Sequence, residues 1–139
     1  MSARFTIAEL TEYLAVIFPQ MGDHFTIAAL HERGATVEMV IDDRHLRPGG
    51  TVSGPTMFTL VDAAFYIAVL AAVGPEALAV TTSCSINFMR KPEPSRLSAE
   101  ARLLKLGRTL AVGDVLVHCD GVDGPVAHAS VTYAIPPRA

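Results

Sequence analysis

Residues 54–73, GPTMFTLVDAAFYIAVLAAV, decide how this chain folds. Nearly all of the run is apolar, and Gly54-Pro55 and Gly74-Pro75 bracket it. Ser53 stands where an N-cap belongs, and Pro55 falls in the first turn, where a missing N–H costs nothing. Gly74-Pro75 is a stop signal. The pattern predicts one helix, about 30 Å long at about 1.5 Å per residue. A helix apolar on almost every side belongs in a core or in a membrane. Its exceptions are Thr56, Thr59, Asp62 and Tyr66, which recur every three or four residues and form a single stripe. The stripe is centred on a carboxylate. Taking a lone carboxylate out of water is costly unless it has partners, so Asp62 is the first place to look for chemistry.

Length alone would let this helix span a bilayer, which needs about 20 apolar residues. The mid-segment Asp62, the Gly-Pro opening and the lack of flanking Lys/Arg asymmetry argue for a buried core helix and against a membrane partner. Composition agrees. Of 139 residues, 50% are hydrophobic and 18% charged, enough to build one packed domain over 1–139 and too apolar for disorder. A net charge of -3 speaks against a nucleic-acid surface, which would be basic. Cys84 and Cys119 form no CxxC, and MSARFTIAEL at the N-terminus has no basic, then apolar, export signal; a cytoplasmic protein with free thiols is expected. His24, His31, His45, His118 and His128 show no metal-ligand spacing, so no metal is expected.

Outward from the helix, the chain alternates. Residues 6–18 place Ile7, Leu10, Leu14 and Ile17 at helical spacing, with Thr6 and Glu9 as a capping box. Residues 24–32 and 35–42 read as a hairpin meeting at Arg33-Gly34. Residues 43–53 are a Pro/Gly-rich loop delivering the chain to the long helix. Four strand-like runs follow, 78–90, 96–106, 109–119 and 125–135, joined by short turns and read as an antiparallel meander. In the first of them, strict alternation puts Thr82, Cys84, Ile86 and Phe88 on one face and Thr81, Ser83, Ser85 and Asn87 on the other. The α+β architecture that satisfies both halves is an antiparallel six-stranded sheet wrapped around one long central helix, with an N-terminal helix beside it. Such a sheet has edges to protect, and self-association would protect them.

This is the hotdog arrangement, and the sequence resembles the hotdog thioesterases of the phenylacetyl-CoA type. The resemblance rests on Arg47-Pro48-Gly49-Gly50-Thr51-Val52-Ser53-Gly54-Pro55, on Leu60-Val61-Asp62, on Thr81 and on Ile86-Asn87-Phe88-Met89-Arg90-Lys91-Pro92. Gly107-Arg108 and the terminal Val126 to Tyr133 complete it. It implies an acyl-CoA thioesterase releasing free acid and coenzyme A, with no cofactor beyond the coenzyme A of the substrate. Asp62 would be the catalytic carboxylate, as general base or as nucleophile, and the Gly54 amide at the helix N-terminus the oxyanion donor. It also implies sites shared between subunits of a homodimer or a dimer-of-dimers tetramer.

The remaining candidates carry two readings each. Ser53 is an N-cap or a substrate contact. Arg47 binds substrate phosphate or pairs with Asp42 or Asp43. Thr81 holds the attacking water or is an ordinary strand threonine. Tyr66 lines the acyl pocket or only packs. Arg90, Lys91 and Arg108 hold the coenzyme A phosphates or are solvated strand ends. The chain departs from the family pattern twice. Ser53-Gly54-Pro55 stands where His-Gly-Gly is common, and Arg47 stands where an asparagine is common. A hydratase is set aside because no histidine follows Asp62 at about five residues; Ile67 is there instead. A non-catalytic acyl-CoA binding protein is the alternative.

Overall fold

A computed structural model describes residues 4–137. Helix α1 (Ile7–Ile17) opens the chain, capped by the reciprocal Thr6–Glu9 bonds expected from the sequence. Strands β1 (Phe25–His31) and β2 (Gly34–Met39) follow, then helix α2 (Gly54–Val73), β3 (Val80–Phe88), β4 (Leu97–Leu106), β5 (Leu110–Cys119) and β6 (Ala127–Ala134). Single 3-10 turns lie at Pro19–Met21 and Asp43–His45. All six strands form one antiparallel sheet in the order β1-β2-β4-β5-β6-β3.

The predicted meander therefore holds for β4, β5 and β6 only. β3 pairs with β6 and forms an edge, while β4 joins β2 on the other side. The reason lies in Lys91-Pro92-Glu93-Pro94. Two prolines in four residues cannot make a tight hairpin, and they carry the chain across the mouth of the sheet instead.

The sheet curls around α2, whose residues are buried on almost every side. Alternate strand residues face it: Val37 and Met39 of β2, Leu97 and Leu103 of β4, Val115 and Val117 of β5. Each large apolar side chain so buried contributes about 1.5–3 kcal/mol. Burial of this helix inside its own sheet, not a bilayer, removes its apolar surface from water.

Close approach of sheet and helix is set by small residues. A Cβ on Gly113 of β5 would lie 2.0 Å from the Arg102 carbonyl oxygen and 2.7 Å from Cε1 of the fully buried Phe65. Neither neighbour can yield, since one is backbone and the other is locked in the core. Gly113→Ala should lower stability by about 3 kcal/mol, measured as the loss in urea midpoint at unchanged slope.

A bulge corrects the second sequence expectation. Thr81 pairs with Tyr133, yet Ser83 pairs with Thr132 and Cys84 with Val131, so Thr82 is the extra residue. Tyr133 and Val131 both face the helix, and the bulge therefore turns Thr81 inward with Cys84 rather than outward with Ser83. Period-two reading cannot see an inserted residue, because the alternation simply changes phase.

Candidate active site

Asp62 sits halfway along α2, where the polar stripe meets the start of β3. Its Oδ1 accepts a hydrogen bond from the Thr81 hydroxyl at 2.5 Å and another from the Tyr133 hydroxyl at 2.8 Å. Tyr133 also lies 3.1 Å from the Asp62 carbonyl oxygen. Burial pushes the Tyr133 hydroxyl far above the ordinary phenol range, and the negative charge of Asp62 adds to it, so Tyr133 stays protonated and donates. All of these donors converge on one carboxylate oxygen. Oδ2 has no partner among the described residues.

The bulge is thus the device that builds the site. Without it the Thr81 hydroxyl would sit on the outer face of the sheet. Thr81→Val removes the hydroxyl at nearly constant volume. It should lower kcat by about tenfold with little change in KM, since a net hydrogen bond is worth about 1 kcal/mol or somewhat more when charge-assisted; steady-state thioester hydrolysis gives the split. Cys84 lies near the same carboxylate, and burial, reinforced by the Asp62 charge, raises its thiol pKa. It stays a thiol at neutral pH and does not compete as a nucleophile.

Asp62 opens on a cavity of about 890 Å³. Thr81, Tyr133 and Tyr66 share its wall with the carboxylate, and Phe18, Met21 and Phe58 supply much of the apolar remainder. Tyr66 stacks with Tyr133 at 6.1 Å between ring centroids and donates its hydroxyl to the Ala77 carbonyl at 2.8 Å. Its polar end is therefore satisfied by the protein, and only its ring faces the cavity.

Gly54 lies elsewhere. It lines a second cavity of about 480 Å³ together with Arg47, Met57, Phe88, Arg90 and Lys91. Ser53 is an N-cap: its Oγ accepts from the Thr56 amide at 3.3 Å, and its carbonyl accepts from the Met57 amide. Pro55 has no amide. Gly54 is left as the one unpaired N–H of the first helical turn among the described residues, at the positive end of the helix dipole. Three cations around that donor suit a polyanion. Arg47 is exposed and makes neither of the predicted pairs; Asp42 is instead clasped by Arg44, at 2.6 Å from Nη2. Arg90 is steadied by donating to the Pro125 carbonyl at 2.7 Å.

Arg108 and Ser53 line neither cavity. Arg108 belongs to the β4–β5 turn, which lies at the Val80 end of the sheet because Leu110 pairs with Ala134 and Ala134 with Val80. Arg90 and Lys91 follow Phe88 at the opposite end.

Sequence reasoning gives Tyr133 and His24 no place in the first cavity, and it weighs His45 as a loop residue that joins the site or, more commonly, stays at the surface. Tyr133 is legible as an inward position of β6 but not as a partner of Asp62, 71 residues away. His24 and His45 are scattered in the sequence. The β1–β2 pairing of Phe25 with Met39 carries His24 to the segment that follows β2, and the Asp43–His45 turn then folds back on it, with Arg44 3.4 Å from His24. Their rings lie at right angles with centroids 5.7 Å apart, and both line the Asp62 cavity.

A single helix rolled in an antiparallel sheet is the hotdog arrangement that the sequence resembles. The comparisons agree. The thioesterase superfamily profile matches residues 49–126, and this chain belongs to that family. A crystal structure from Silicibacter sp. TM1040, assigned as a thioesterase, is 53% identical with a TM-score of 0.90, covering 99% of this chain and 96% of that one. The phenylacetic acid degradation protein PaaI of Thermus thermophilus, in a mutant form, is 28% identical with a TM-score of 0.73, over 85% and 99% of the two chains. Zebrafish thioesterase superfamily member 2 shares the fold at 20% identity and a TM-score of 0.82, over 95% and 99%. No sequence among the curated proteins matches.

Proposed function

We propose that the protein is a soluble, cytoplasmic acyl-CoA thioesterase working as a homodimer or a dimer of dimers. The observation that carries this is the half-anchored Asp62 carboxylate, one oxygen held by Thr81 and Tyr133 and the other free, at the wall of an apolar cavity.

Asp62 and Gly54 of one chain do not share a cavity. They are eight residues apart, about 12 Å along the helix axis. β3 offers a way for them to meet across two chains. Asp62 touches Thr81 at its start, and Gly54 lies against Phe88 at its end, where a Cβ would stand 3.3 Å from the ring. β3 is an edge strand, and Val80 and Phe88 on it are 55% and 51% exposed. Antiparallel pairing of β3 with β3 of a second copy would protect that edge. It would also lay the Thr81 end of one chain beside the Phe88 end of the other. Asp62 then faces the partner's Gly54, and Arg108, at the Val80 end, approaches the partner's Arg90 and Lys91. Coenzyme A phosphates at those cations would place the thioester between donor and carboxylate.

The chemistry follows. The Gly54 amide polarises the thioester carbonyl and holds the negative charge that gathers on its oxygen. The free Asp62 oxygen takes a proton from water as the water oxygen attacks the carbonyl carbon; the tetrahedral adduct collapses, the C–S bond breaks and the thiolate leaves. Direct attack by Asp62 gives an anhydride that water then opens. Where water opens the anhydride at the Asp62 carbonyl, a single turnover in ¹⁸O-water leaves unlabelled protein oxygen in the acid and label in Asp62, an outcome that general-base attack never gives. Release of free thiol from a panel of acyl-CoAs tests the function itself. Tight acyl-CoA binding without thiol release would replace it with the binding-protein reading.

A further inference from the structure

The cavity beside Asp62 takes one of its walls from outside the part of the chain that defines the family. Residues 49–126 carry the shared pattern, and α2, Asp62 and Thr81 all lie within it. Ile17, Phe18, Gln20 and Met21 line the same cavity, yet they belong to the exit of α1 and the 3-10 turn before β1. This connector is firmly built. The Phe18 amide donates to the Leu14 carbonyl at 2.8 Å, and the Phe18 carbonyl accepts from the Met21 amide at 3.1 Å. The Gly22 amide closes the turn on the Pro19 carbonyl at 3.0 Å. Pro19 fixes its own φ, and Gly22 redirects the chain towards β1 with a φ of 67°, a conformation that favours glycine. Leu10 and Leu14, both buried, anchor α1 behind the connector.

Phe18 is the part of this wall that stands in the way of a long chain. Its ring meets Tyr66 edge-on, with centroids 6.1 Å apart and planes at 80°. Tyr66 follows Asp62 by four residues on α2, about 6 Å along the helix axis. Tyr66 cannot swing aside, because its hydroxyl is bonded to the Ala77 carbonyl and its ring stacks on Tyr133, which holds Asp62. The other end of the cavity carries the imidazoles of His24 and His45. Covering polar rings with hydrocarbon costs free energy, so an apolar chain that starts beside Asp62 runs along the Tyr66 ring. About one helical turn further on it reaches Phe18. The Phe18 side chain is 41% exposed and makes no part of the packed core, so shortening it lengthens the cavity without unseating α1.

Resting on the thioesterase reading, we infer that Phe18 is a specificity-determining residue, whose ring sets the longest straight acyl chain the enzyme accepts. Along a series of saturated acyl-CoAs from butanoyl to tetradecanoyl, kcat/KM should rise until the tail meets the ring and then fall. In Phe18→Ala the fall should come at a longer chain. The ratio of kcat/KM for dodecanoyl-CoA to that for hexanoyl-CoA should rise by about tenfold or more, the scale on which an apolar pocket discriminates a methylene or two. Phe18→Leu should lie between the two. A ratio that stays the same in a folded Phe18→Ala protein overturns the proposal. A second readout needs no turnover. The chain has no tryptophan, so Phe18→Trp places a single fluorophore in the wall. S-alkyl thioethers of coenzyme A, which cannot be hydrolysed, are the probes. S-octyl-CoA should shift the emission to the blue, and S-ethyl-CoA, too short to reach the ring, should leave it in place. That result with every thioester inert keeps the wall and removes the hydrolase reading. Thioester hydrolysis with an emission indifferent to alkyl length removes the wall and keeps the hydrolase.

Discussion

Asp62→Asn should lower kcat for thioester hydrolysis by about 10³-fold or more while leaving the fold intact. The asymmetry of the carboxylate makes this variant informative. Oδ1 is the anchored oxygen, accepting from Thr81 and Tyr133, and asparagine keeps a carbonyl oxygen for both donors. Oδ2 is the oxygen without a partner among the described residues, and asparagine replaces it with an amide that neither takes a proton from water nor attacks a carbonyl. General-base catalysis alone is worth about 10²–10⁴, and loss of a nucleophile costs at least as much, so about 4 kcal/mol of transition-state stabilisation should vanish. Thermal unfolding should show equal or higher stability, because a half-buried charge has been removed without orphaning its donors. Thiol release and a melting curve on the same preparation check both halves. Activity within tenfold of wild type would remove Asp62 from the mechanism.

The second large effect concerns how chains share the work. Gly54→Pro removes the unpaired amide and little else. Ser53 has ψ of 153°, the extended conformation a residue before proline adopts, and proline is at home in a first helical turn. A Cβ there comes closest to Phe88, at 3.3 Å, and that side chain is half-exposed at a strand end and can move. Loss of one oxyanion donor should cost about 10²–10³ in kcat. The decisive experiment mixes the two inactive proteins. When Gly54→Pro and Asp62→Asn chains are unfolded and refolded together, half of the dimers are mixed, and each mixed dimer has one site with both native residues. About a quarter of wild-type activity should return, a gain of at least tenfold over either parent. If donor and carboxylate act within one chain, every site in the mixture is damaged and no activity returns. The geometry already favours the first outcome, since the two residues of one chain open on different cavities.

The departures from the family pattern acquire a physical meaning here. Ser53 in place of histidine gives the helix a true cap, and Pro55 deletes the next amide, so the first turn of α2 is reduced to a single free donor at Gly54 among the described residues. Arg47 in place of asparagine places a cation beside that donor. Arg47 adds positive charge at that end of the helix, Ser53 and Pro55 leave Gly54 as its free donor, and neither change touches the acid end.

The long helix, its caps, its single acid and the alternation of the strands around it are all readable from the order of amino acids. These are local matters: capping geometry, proline placement and the period of apolar residues are written in neighbours a few positions apart. The same logic singles out Asp62, because a carboxylate in a greasy helix is costly without partners. Tertiary structure decides the rest, since the deciding contacts join residues far apart in the chain. β3 leaves the meander because two prolines forbid a hairpin, and its new neighbour β6 brings Tyr133 to Asp62. The bulge at Thr82 reverses the phase of β3 and delivers Thr81 to the same oxygen, an insertion that no alternation pattern reveals. The β1–β2 register and the Asp43–His45 turn together set His24 beside His45, and the hydrogen bonds of the Asp42–Arg44 turn choose which nitrogen of each ring keeps its proton. Residue identities are local and can be read in order; the orientation of a hydroxyl or a ring proton is fixed only when distant segments close on one another.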